Sequence, residues 1–258
     1  MIVWHTVLLV SVVLTFFQTQ SYIVMLKTPQ TSSRSGKRQE SNSDLGWALE
    51  LARAYDAGPF VAVGSAVSTS IITHVYNFGK GIIGFAITTT QLAKEALALH
   101  PNVAYCGLDK KYVRQGLPPW MTLWVKRPDL NHHLWHIDRI NERKPKYDKV
   151  YPVIGNQGEG VTVYLLDGGV DGTHPELKGR VFVGHSILDG EVGNFNTDLN
   201  GHGTLCAGII AGKTVGIAPK ATVISMQVVG PNDKGRISDI IKALEHIANK
   251  VIGINVRA

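Results

Sequence analysis

An apolar, β-branched run that closes on an acid and two glycines constrains this chain more than any other feature. VTVYLLDGGV occupies positions 161 to 170. Val161 to Leu166 has the pattern of a strand buried on both faces, the kind found in parallel sheets covered by helices. Asp167 ends the run, and Gly168 and Gly169 let the chain turn away. In open α/β sheets the groups that do chemistry gather at the carboxyl ends of such strands. Thirty-five residues after Asp167, His202 opens a run of small residues, HGTLCAGIIAG. That run predicts a buried helix starting at the histidine, with Gly201 and Gly203 permitting close backbone approach. The interval leaves room for one more strand, Val181 to His185, and a polar loop.

A carboxylate at a strand end and an imidazole at a helix start are two parts of a proton-transfer device. The imidazole takes a proton from a hydroxyl; the carboxylate fixes its tautomer and stabilises the imidazolium. In these blocks, VYLLDGGVDGTHPELKGRV around Asp167 and DLNGHGTLCAGIIAG around His202, the sequence resembles the subtilisin-like serine proteases, nearest to the proteinase K-like branch. VGIAPKATVISMQVV is similar to the next core strand of that family, KGRISDIIKALEHI to its substrate-lining segment and following helix, and LWHIDRIN to the entry of its catalytic domain. The resemblance implies a serine endopeptidase acting on polypeptides, with His202 as general base and acid and Asp167 as its partner. Gly235, Arg236 and Ile237 would line the substrate as an extended edge. No cofactor and no metal are implied. Cys206, one helical turn past His202, resembles the free cysteine beneath the histidine of proteinase K-like enzymes, a buried structural thiol rather than a nucleophile.

The upstream region predicts strands at Ser21 to Lys27 and Val103 to Val113. Helices are expected over Trp47 to Tyr55 and from a cap at Thr90 to His100, with a hairpin in IITHVYNFGKGIIGFAI turning at Gly79 to Gly81. The order βαββαβ builds a small α+β, ferredoxin-like domain, and its place resembles the inhibitory propeptide of the family. The expected fold class is α/β: a partial subtilisin-like parallel sheet with flanking helices, preceded by that propeptide. The expected divisions are a signal peptide over 1–20, the propeptide over 21–113, a basic linker and entry segment over 114–150, and the N-terminal part of a catalytic domain over 151–258.

Ile2 to Phe17 is almost wholly apolar and reads as a secretory signal, with a buried N-terminal helix as the alternative; the expected location is the secretory pathway, with no other membrane segment. Cys106 and Cys206 fall in different expected domains, so no disulfide joins them. The formal net charge is +6. Lys110 to Lys149 carries ten Lys or Arg against four Asp or Glu, so the stretch that includes the linker holds a charge equal to the whole excess. Its basic residues are expected to be solvated, and no nucleic-acid motif accompanies them. His132, His133 and His136 lack a metal-ligand spacing. The loop Asp189 to Asp198 reads as ordinary surface rather than a calcium loop.

The chain departs from the family pattern in three places. Gly168 stands where a Ser or Thr is usual, which is expected to loosen Asp167. Leu205 replaces a histidine. No Gly-Thr-Ser-x-Ala block occurs; after His202 the serines are Ser225, inside an apolar strand, and Ser238, expected to cap a helix. The tail NKVIGINVRA reads as the start of a further strand. The expectation is an incomplete zymogen lacking the nucleophile, its propeptide bound to the catalytic domain; the alternative is a non-catalytic inhibitor or folding chaperone of a related protease.

Overall fold

The computed structural model describes residues 19–27, 45–56, 70–78, 82–114, 134–141, 155–188, 191–193, 198, 200–230 and 232–255. The expected signal peptide up to residue 18, most of the basic linker, His132 and His133, and the hairpin tip at Gly79 to Gly81 lie outside them, while Gln20, expected as the signal's last residue, opens the first strand. The chain forms two compact units: residues 1–111 with 236–258, and residues 112–235.

The first unit is built on a four-stranded antiparallel sheet. Its elements run β1 (Gln20–Leu26), α1 (Gly46–Asp56), β2 (Ile71–Asn77), β3 (Ile83–Thr89), α2 (Gln91–Leu99) and β4 (Val103–Leu108), and the strands lie in the order β2-β3-β1-β4. Period-two alternation sends side chains to opposite faces. Tyr22, Val24, Phe85 and Ile87 meet Ala48 and Ala52 of α1 and Ala93 and Leu97 of α2. Ile23, Tyr76 and Ala86 point the other way, toward Ile237 and Ile241 of a long helix, α5 (Ile237–Asn255). α2 starts where Thr90 accepts the Ala93 N–H on its hydroxyl, at 3.3 Å, a side-chain N-cap.

Three expectations fail here, each for a local reason. Val103 to Val113 is two strands, not one: β4 ends at Leu108, and β5 (Lys111–Val113) pairs with β10 (Lys234–Arg236) instead. The break falls at Asp109, whose buried carboxylate takes hydrogen bonds from the hydroxyls of Ser21 and Ser238 and the Ser238 N–H. Ser238 is therefore not a helix cap. It lies inside the first turn of α5, where Asp239 accepts the Arg236 N–H at 3.2 Å, the carboxylate half of a capping box. The tail after Asn249 continues α5 to Asn255 rather than starting a strand: Ile237, Ile240, Ile241, Leu244 and Ile247 keep the helical period, and the apolar end was too short to decide against it.

The second unit is α/β. β6 (Thr162–Asp167), β7 (Val181–Leu188), β8 (Glu191–Gly193) and β9 (Thr222–Gln227) form a sheet in the order β6-β9-β7-β8. β9 is parallel to both β6 and β7, and β8 is antiparallel to β7. A short helix, α3 (Trp135–Asn141), precedes it, and α4 (His202–Ala211) lies on the sheet. Val170, Leu177, Ala207, Ala211, Ala221 and Val223 make the core between them. The small residues of α4 are what allow so close a packing: a Cβ on Gly203 would fall 2.0 Å from the Gly169 carbonyl oxygen. His136 Nε2 donates to the Val215 carbonyl, at 2.8 Å.

Candidate active site

The second unit brings Asp167 and His202 together. Asp167 is the last residue of β6, in register with Gln227 of β9, and its main-chain oxygen accepts the Val228 N–H at 2.9 Å. His202 is the first residue of α4, which starts at Gly201 with a left-handed backbone, φ 83°. Glycine is favoured there because it carries no Cβ. Asp198 supplies the cap: its carboxylate accepts the Gly201 N–H at 3.0 Å, the Thr204 N–H at 2.7 Å and the Thr204 hydroxyl at 2.6 Å. The Thr204 hydroxyl oxygen in turn accepts the Asp171 N–H, at 2.9 Å. The helix start is thus tied to the turn after β6, and the two functional side chains are held in one frame.

His202 Nδ1 donates to Asp167 Oδ2 at 2.7 Å, since a carboxylate oxygen only accepts. That bond fixes the tautomer and leaves Nε2 as the basic nitrogen. Asp167 is 9% exposed and His202 24%, so the acid is buried and the base is open on one side. The other carboxylate oxygen, Oδ1, accepts the Gly168 N–H at 2.6 Å and the Arg114 guanidinium Nη1 at 3.3 Å. Gln227 Nε2 donates to the Gly168 carbonyl. Gly168, expected to loosen Asp167 for want of a side-chain hydroxyl, still gives the carboxylate its backbone amide, and the room its missing side chain leaves is next to Arg114.

Cys206 Sγ lies 3.7 Å from His202 Nδ1. Burial, and then the charge of Asp167, push its thiol above the ordinary range. It therefore stays protonated at neutral pH, whereas a nucleophile or metal ligand must be a thiolate. Asp167, His202 and Cys206 place one donor atom each within 4.8 Å, but Nδ1 is already committed to the carboxylate. The arrangement is that of an oriented base. Cys106 and Cys206 are both free.

Gly235, Arg236 and Ile237, expected as one extended edge, do not share one element. Lys234–Arg236 is the extended run, with Gly235 buried within it, whereas Ile237 opens α5 and packs into the other core. Ser225 lies buried inside β9 with its hydroxyl unpartnered. Arg114 is the largest correction. Expected to be solvated, it is 8% exposed and paired with both Asp167 and Asp233. A charge run gives no hint of which member is buried. Asp198 carried a readable signal, an acid four residues before a histidine that starts a helix.

Residues 158–256 match the subtilase family model. The chain is 30% identical over 191 residues to a subtilisin-like protease of Coccidioides posadasii, covering 72% of this chain and 36% of that protein. It is 29% identical over 232 residues to subtilisin-like protease 8 of Arthroderma benhamiae, 88% of this chain and 44% of the relative. It is 39% identical over 121 residues to subtilisin-like protease 3 of Saccharomyces cerevisiae, 46% and 25%. A cold-adapted subtilisin-like serine proteinase of known structure matches at TM-score 0.40 and 32% identity, over 43% of this chain and 40% of that one. The chain spans less than half the length of these relatives. The Asp167 and His202 blocks both fall inside the matched region, and residues 158–256 belong to the subtilase family.

Proposed function

We propose that the whole protein is a secreted serine endopeptidase made as a zymogen, in which His202 is the general base and Asp167 orients it. The observation that carries this reading is the 2.7 Å bond from His202 Nδ1 to a buried carboxylate that is also held by a backbone N–H. This geometry readies Nε2 to take a proton from a serine hydroxyl and to return it to the leaving amine. The serine itself is not assigned within these 258 residues, since Ser225 is enclosed in a strand and Ser238 is bonded to Asp109. The reading therefore assigns the nucleophile to a part of the protein outside them. The division into signal, propeptide, linker and catalytic segments is part of the same proposal. The βαββαβ sheet of the first unit supports it, because α5, from the subtilase region, covers one face of that sheet.

The test uses the full-length protein and a fluorophosphonate probe, which labels an activated serine. Labelling and casein hydrolysis are expected, with both lost in His202→Ala and reduced in Asp167→Asn. The 258-residue chain alone is expected to show neither. Labelling that survives His202→Ala would sink the assignment. The second reading, an inhibitor or folding chaperone, draws on the completeness of the first unit's fold. Residues 21–116 added to a complete relative are expected to inhibit it, through strand addition, and less well after deletion of Tyr112 to Gly116.

A further inference from the structure

Arg114 occupies a place too well defined for a linker residue. Its N–H donates to the Asp233 carbonyl at 2.7 Å. Its Nη2 donates to Asp233 Oδ1 at 2.6 Å, and its Nη1 reaches Asp167 Oδ1 at 3.3 Å. Asn200 Nδ2 donates to the same Asp233 Oδ1, which fixes that carboxylate. Asp233 adopts a left-handed backbone, φ 58°, at the turn before β10, a conformation that Asp tolerates better than most residues. Gly168 leaves the space open: a Cβ there would sit 3.6 Å from Arg114 Nη1, so a longer side chain would compete for it. The arginine follows β5, which lies along β10, and the Tyr112 hydroxyl donates to the Val228 carbonyl at 2.9 Å. An extended segment paired with a strand beside an oriented base is how a polypeptide substrate engages such a site by strand addition.

We propose that Asp233, steadied by Asn200 and given room by Gly168, forms a subsite for a basic side chain, arginine above all, in an extended polypeptide substrate, and that Arg114 is its resident occupant. This rests on the endopeptidase reading above. Two carboxylates on two different guanidinium nitrogens suit the planar fork of arginine; a lysine ammonium is a single point charge and engages them less well. Asp167 is committed to His202, so Asp233, 37% exposed, is the selective acid. A neutral side chain in its place leaves that carboxylate without its charge partner.

The test uses the matured full-length protease and quenched peptides built on residues 111–117, with Arg, Lys or Gln at the position of Arg114. The Arg peptide is expected to exceed the Gln peptide in kcat/KM by about 10-fold or more, the value of one charge-assisted hydrogen bond, with Lys between. Asp233→Asn, which suits the same left-handed backbone, is expected to collapse that ratio. Equal rates for Arg and Gln, or a ratio that survives Asp233→Asn, overturn the subsite. If casein is cut but neither peptide is, the subsite fails and the endopeptidase reading stands; if casein is not cut, that reading fails first. A second measurement needs no activity. In the 258-residue chain, hydrogen exchange at the Arg114 amide is expected to quicken in Arg114→Gln and in Asp233→Asn, and less in Arg114→Lys, with β9 amides as the folding control. Unchanged exchange in Arg114→Gln overturns the contact on which the proposal stands.

Discussion

Gly203→Ala sets two effects of known size against each other. Gly203 is the second residue of α4. Helix propensity alone favours alanine over glycine by about 1 kcal/mol. Packing opposes it. The new Cβ would fall 2.0 Å from the Gly169 carbonyl oxygen and 3.3 Å from Asp167 Cβ. The first contact is backbone on both sides, so no side chain can swing away, and α4 and the turn after β6 must part by about 1 Å to reach even a tight contact. Overpacking of this kind costs about 1–3 kcal/mol, and the rigid backbone contact puts it at the upper end. The net expectation is a loss of about 2 kcal/mol, or a Tm lower by about 4–8 °C for a chain this long. Gly208→Ala in the same helix is the control: nothing lies within 4 Å of its added Cβ, so propensity acts alone and Tm should rise by about 2–4 °C. Thermal unfolding followed by circular dichroism measures both. A Gly203→Ala midpoint at or above the parent, or the two variants moving together, would refute the steric argument.

Asp198→Ala removes the shared acceptor for Gly201 and Thr204 and is expected to cost about 1–2 kcal/mol, with Asp198→Asn losing less; urea unfolding and faster exchange at the Gly201 and Thr204 amides check it. Cys206 is expected to react with iodoacetamide more slowly than glutathione at pH 8, because burial first and the Asp167 charge second raise its pKa; faster labelling would contradict the placement of its thiol. Two carboxylates of the second unit lie below their ordinary range. The Thr173 hydroxyl and N–H lower Asp171. For Glu176, burial raises the pKa, but the hydrogen bonds from Thr214 outweigh it. Depressed carboxylates stabilise the folded state above their unfolded values, about 3.9 and 4.3, and lose that contribution as pH falls through the folded ones. The double variant Asp171→Asn, Glu176→Gln is therefore expected to show a flatter decline of stability below about pH 4, and an unchanged acid slope would rule these two groups out as its source.

The parts of this protein that could be read from its sequence are those where one residue dictates one local geometry. The run ending at Asp167 is a parallel strand, as its β-branched apolar pattern requires, but it is half-buried rather than buried on both faces; His202 starts a helix because Gly201 turns the chain there. Thr90 caps α2 as its hydroxyl requires. The failures arise where a distant partner decides. Asp109 splits an apparently continuous strand because Ser21 and Ser238 reach it from far along the chain. Asn249 to Asn255 is helix because it extends a long amphipathic element, a fact invisible in ten residues alone. Arg114 looked like one of ten equivalent cations until two carboxylates, 53 and 119 positions away, singled it out.

The sheet order β6-β9-β7-β8 has a consequence for how the chain acquires its chemistry in time. Among the described residues β6 has β9 as its only strand neighbour, and β9 begins 55 positions after Asp167. Synthesis delivers Asp167 and then His202 before the strand that anchors β6 exists. Non-local parallel pairing is slow, because the intervening loop must close before any ladder bond forms. A nascent chain ending near Ala211 should therefore carry both residues with no sheet to align them, and 162–188 should stay open to an added protease until 222–227 has emerged and docked. The hydrogen-bonded pair Asp167 and His202 is in this sense a late event of biogenesis, assembled only after both of its members have left the ribosome.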